Sequence, residues 1–85
     1  MIVLVVTDPK GNTTRNRPVH YGPQAALAVS ETLRRVAPWL TRRELVSAGM
    51  QVVGASPGTT SVHTATGYRF RIEQADAVLP LRRTA

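Results

Sequence analysis

The sequence predicts a small α+β domain: an N-terminal β-hairpin, a two-helix hairpin of helix-turn-helix type, and a C-terminal β-hairpin in the position of a wing. Three observations carry this. Ile2 to Thr7 is an unbroken β-branched and leucine run closed by the turn-forming Asp8-Pro9-Lys10-Gly11-Asn12. Ala26, Val29, Leu33, Val36 and Leu40 recur at spacings of three and four, which marks one face of a helix. Tyr68, Phe70 and Ile72 alternate with Arg69, Arg71 and Glu73, the period of a half-buried strand.

The first strand has apolar residues on both of its faces, so it belongs in the middle of a sheet. A return strand over Thr13 to Val19 is polar and is stopped by Pro18, which confines it to an edge. Arg15 and Arg17 share one face of that arm if it is extended.

Gly22-Pro23 opens the first helix, with proline at N1 where its missing N–H costs nothing. Pro38 ends it near Val36 or Ala37, because the residue before a proline is pushed out of the α region. Trp39 is expected to plug the core at the corner between the helices. Leu40-Thr41-Arg42-Arg43-Glu44-Leu45 starts the second helix. Thr41 and Glu44 have the spacing of a capping box, and Leu40 and Leu45 that of a hydrophobic staple. The helix is expected to run from Arg42 to about Ala48, with Gly49 as its left-handed C′ residue.

Gln51-Val52-Val53 reads as a short strand and 54–61 as a loop. Val62–Ala65 and Tyr68–Glu73 form a hairpin around Thr66-Gly67. The domain is expected to span 1–74, with 75–85 as a mobile tail.

Bulk properties bound the function. A chain of 85 residues makes one domain. A chain of this size buries about 60–65% of its unfolded surface, so its stability is a few kcal/mol. Without cysteine there is neither a disulfide framework nor a thiolate metal site. The six-residue apolar start lacks a basic leader and is too short to span a bilayer, so a cytoplasmic protein without a membrane partner is expected.

The formal charge is +6, an excess that favours acidic partners through counterion release. It is spread evenly. Residues 1–40 carry five basic and two acidic groups and residues 41–85 carry six and three, which makes +3 in each half. Ten arginines beside one lysine and ten alanines are also what GC-rich coding yields.

Enzyme chemistry finds little footing. Ser56, His63 and Asp76 do not form a recognisable nucleophile–base–acid pattern, and His20, His63 and Asp8 lack metal-ligand spacing. The 54–60 segment has glycines one residue too close for a phosphate loop and no lysine after them. No catalytic residue, metal ligand or cofactor is therefore assigned.

The arginines point elsewhere. A second helix opening on Arg42-Arg43, followed by a hairpin with Arg69 and Arg71 on its outer face, has the layout of a helix-turn-helix with a wing. Arg34, Arg35, Arg15 and Arg17 would widen that surface. The expected function is non-catalytic binding of double-stranded DNA, mainly through phosphates, in a regulatory or accessory role. Two departures weaken base reading: the corner 37–41 is longer than the usual turn and lacks glycine, and the second helix offers only Arg42, Arg43 and Ser47 to base edges. The alternative is a small protein-binding modulator of phage or plasmid type that docks an acidic host surface. Its apolar first strand and polar edge arm would suit homodimerisation or strand addition. DNA binding predicts Arg42, Arg43, Arg69 and Arg71 on one continuous face, and the two pairs on opposite sides would exclude the winged arrangement; protein binding predicts an exposed apolar patch beside these arginines.

Overall fold

The computed structural model describes residues 1–75. The expected tail, apart from Ala75, lies outside these described residues. The chain order is β1 (Ile2–Thr7), β2 (Thr13–Arg15), α1 (Pro23–Val36), α2 (Arg42–Gly54), β3 (Thr60–His63) and β4 (Tyr68–Gln74). This is the expected α+β arrangement. The strands form one antiparallel sheet in the order β2-β1-β4-β3, with β1 in its interior.

Alternation along β1 and β4 builds the core. Leu4 lies opposite Ile72 and Val6 opposite Phe70. These residues and Ile2 pack against Ala25, Val29 and Leu33 of α1 and Ala48 and Val52 of α2. Both helices therefore cover one face of the sheet, and the other face is free of helices. Val5 points to that second face and is nonetheless buried. Its two cross-strand neighbours are Arg15 and Arg71, whose aliphatic stems account for its cover.

The C-terminal hairpin does not stand out from the body as a wing. β4 pairs with the whole length of β1, from Ile2 opposite Gln74 to Thr7 opposite Arg69. Burying Phe70 and Ile72 over the helices requires that docking, since a projecting hairpin would leave both in water. The β3–β4 connection is the four-residue stretch Thr64 to Gly67, and β3 begins at Thr60, earlier than the expected Val62. Gly67 has φ +78, and its N–H donates to the His63 carbonyl at 2.8 Å.

Both helix starts and the end of α1 follow the sequence signals closely. Pro23 opens α1, and the Ala37 N–H closes it by donating to the Leu33 carbonyl at 2.7 Å. At α2 the Glu44 N–H donates to Thr41 Oγ1 at 3.2 Å, and the Thr41 N–H donates to Glu44 Oε1 at 2.8 Å. Both halves of the capping box are thus in place.

The length of α2 differs from expectation. It continues through Gly49 to Gly54, so Gln51-Val52-Val53 is helical and not a strand. Gly49 is a packing residue: a Cβ there would lie 2.7 Å from the Ala26 carbonyl oxygen. The close crossing of α1 and α2 at this point, with Val52 buried just beyond it, outweighs the ~1 kcal/mol helix penalty of glycine. Ser30 Oγ ties α1 to α2 by donating to the Leu45 carbonyl at 2.9 Å, and the Tyr21 hydroxyl, in the segment before α1, donates to the Val53 carbonyl of α2.

Candidate nucleic-acid interface

The fold sends the predicted site residues to two faces. Arg69 and Arg71 alternate with Phe70 and Ile72, which face the helices, so they project from the helix-free side of the sheet. Arg42 and Arg43 open α2, on the other side. The two pairs do not form the continuous winged surface expected from the sequence. The physical reason is the docking of β4 against β1, which commits one face of the hairpin to the core and turns its arginines away from α2.

On the helix-free face Arg15 and Arg71 are engaged by one carboxylate. Arg15 Nη1 and Arg71 Nη2 meet opposite oxygens of Glu73 at 2.6 and 2.7 Å, and Arg71 Nε adds a bond of 3.0 Å. Hydrogen bonds from Arg15 and then Arg71 hold the Glu73 carboxyl below its ordinary value of 4.5. A lowered folded value means that this link stabilises at neutral pH and is lost as pH falls through the lowered value. The melting temperature of the Glu73→Gln variant is therefore expected to fall less between about pH 5 and 3 than that of the parent chain. Equal pH slopes for the two proteins would show that the link contributes nothing to stability. Arg69 is exposed beside this knot, and Arg17 is exposed after β2.

The other four arginines among the described residues gather at the corner of the helical hairpin. Arg34 and Arg35 occupy the last turn of α1, Arg42 and Arg43 the first turn of α2, and residues 37–41 connect them. Arg34 and Arg42 border one groove of about 250 Å³ that also exposes Leu27, Glu31 and Val46. Arg35 lies on the β2 side, near Asp8, Asn12 and Thr14, and Arg43 on the β3 side, near Ser47, Gln51 and His63. The four residues thus border three neighbouring grooves around the corner, Arg35 one, Arg34 and Arg42 the second, and Arg43 the third. None of the four makes an ion pair among the described residues.

Local electrostatics treats the two pairs differently. Arg34 and Arg35 sit at a helix C-terminus, where cations are favoured, whereas Arg42 and Arg43 sit at an N-terminus, where each costs roughly 0.3–1 kcal/mol. Glu44 in that first turn offsets part of the cost. Its carboxyl is held below the ordinary value, chiefly by the Thr41 N–H and then by the Thr41 hydroxyl.

Trp39 corrects another expectation. It does not fill the core but is 70% exposed. Buried Ala37 and half-buried Leu40 close the core on either side of it. The Leu40 N–H donates to the Ala37 carbonyl at 3.0 Å, which makes Ala37 to Leu40 a β-turn with Pro38 and Trp39 as its central residues. The indole consequently stands at the apex of the corner, between the two arginine pairs.

Two polar groups beside the arginines were not legible as site residues. Gln51 continues the line Arg43, Ser47, Gln51 at intervals of four along α2, a line visible only if the helix is carried through Gly49. His63 joins it from β3, its Nδ1 2.8 Å from Thr66 Oγ1. Among the described residues no cluster of three metal-ligating side chains forms, and no helix is long and apolar enough to cross a membrane. Neither a protein-family model, nor a curated protein, nor a solved structure matches the chain.

Proposed function

We propose that this chain is a non-catalytic nucleic-acid-binding protein, with DNA as its expected ligand, acting in a regulatory or accessory role. The observation that carries the reading is the set of four arginines flanking the α1–α2 corner without an ion pair among the described residues. A guanidinium presents two parallel N–H donors to a phosphate and keeps its charge at every physiological pH. Four such groups across one corner would track a phosphate backbone. The short supply of base-reading groups makes the contact positional and weakly sequence-dependent.

The test is fluorescence anisotropy of a labelled mixed-sequence duplex titrated at 50 and 200 mM salt. Four phosphate contacts predict a slope of log K against log salt near ~−3.6, which is roughly a 150-fold loss over that range. Binding of this strength and slope supports the proposal.

A second reading has its own observation. Leu27, Val46 and Met50 are 57%, 53% and 66% exposed on the helix layer, and the first two border the groove that holds Arg34 and Arg42. An apolar strip edged by arginine suits an acidic, amphipathic protein segment or a second copy of the chain. Absence of duplex and single-strand binding at 50 mM salt would overturn the nucleic-acid reading in favour of this one.

A further inference from the structure

We propose that the α1–α2 corner selects single-stranded nucleic acid, stacking an unpaired base on the Trp39 indole while the flanking arginines hold the neighbouring phosphates. This inference rests on the nucleic-acid reading above and names its substrate class.

Exposure and rigidity together point to stacking. An indole left 70% in water contributes little to the core, so its burial does not explain its place in the sequence. Nor is it on a loose loop. Ala37, fully buried and bonded to Leu33, anchors one end of the turn, and Leu40, packed against the core, anchors the other. Pro38 fixes φ immediately before Trp39. The ring is therefore presented with little ordering left to do on binding.

The charge around the corner selects the partner. Arg34, Arg35, Arg42 and Arg43 surround the turn, and the nearest acid in sequence, Glu44, is already bonded to Thr41. A polyanion carrying flat apolar faces matches both features. In a duplex those faces are stacked on one another, and reaching them requires unstacking. In a single strand each base offers a free face to the indole.

Trp39 is the sole tryptophan of the chain, so tryptophan emission reports this one position. The experiment titrates the full chain with an oligothymidylate of about 12 nucleotides, a length within the usual single-strand site sizes. Emission and the anisotropy of the labelled oligonucleotide are followed together, and the duplex serves as reference. Stacking predicts quenched emission at saturation. Trp39→Ala, at an exposed position that leaves folding intact, is expected to bind the oligonucleotide about 5- to 150-fold more weakly. Its salt slope and its duplex affinity should be unchanged.

Salt-dependent anisotropy with unaltered emission, and with Trp39→Ala binding as the parent does, would overturn the stacking and leave the phosphate-binding reading standing. An absence of anisotropy change with either nucleic acid at 50 mM salt would overturn both. An emission change produced only by an acidic peptide would likewise overturn it and assign the corner to a protein partner.

Discussion

Gly49→Val is expected to destabilise the domain by about 3 kcal/mol or more, enough to unfold much of a population whose total stability is a few kcal/mol. The added Cβ would lie 2.7 Å from the Ala26 carbonyl oxygen, a backbone atom that cannot rotate away. Replacing glycine in mid-helix normally gains stability, by up to ~1 kcal/mol with alanine and less with β-branched valine. Here overpacking, typically ~1–3 kcal/mol and larger against backbone, wins. Gly54→Ala provides the opposite sign at the same kind of residue. A Cβ there meets no atom within 4 Å and φ is not positive, so the propensity gain is unopposed and stability is expected to rise by a few tenths of a kcal/mol. Chemical denaturation of both variants checks the pair. A stability for Gly49→Val within error of the parent would mean that the helices do not cross where this close approach places them.

The same glycine explains where sequence reasoning reached its limit. Capping chemistry is local, so Pro23, Thr41 and Glu44 announced the starts of α1 and α2 correctly. The alternation of Tyr68, Phe70 and Ile72 with Arg69 and Arg71 likewise gave β4 and its buried face. Gly49 looks like a stop signal to its neighbours in sequence, because the reason for a glycine there is Ala26, on another helix. The wing failed for a related reason: periodicity identifies which face of a hairpin is buried, but not which element buries it. β1 is the partner of β4 across some 67 residues of chain, as Ile72 opposite Leu4 and Arg71 opposite Val5 show. Trp39 misled because apolarity alone argued for burial, while Pro38 and the turn it sets up lift the ring out of the core. The corner with its two arginine pairs was visible in the sequence as residues, but its separation from Arg69 and Arg71 was not.

Substituting glutamine for Arg34, Arg35, Arg42 and Arg43 together is expected to abolish most of the binding while leaving the fold intact. All four are exposed and outside the core. Removing two cations from the α2 N-terminus relieves about as much repulsion from the helix dipole as removing two from the α1 C-terminus gives up. The melting temperature should therefore stay near that of the parent. On a duplex, four lost phosphate contacts flatten the salt slope by ~3.6 and remove the corresponding affinity. Net charge alone would also weaken binding, since the formal +6 falls by four to +2. The double variant Arg15→Gln/Arg71→Gln controls for this on the other face of the sheet. It loses two positive charges and the link to Glu73, so it should be somewhat less stable but retain most of the salt slope. A corner-located site requires slope loss concentrated in the quadruple variant. Loss in proportion to charge removed, irrespective of face, would mean that the protein attracts polyanions only as a diffuse cation. Loss concentrated in the Arg15/Arg71 variant would move the site to the open sheet, where Arg69 stands exposed beside the Glu73 knot.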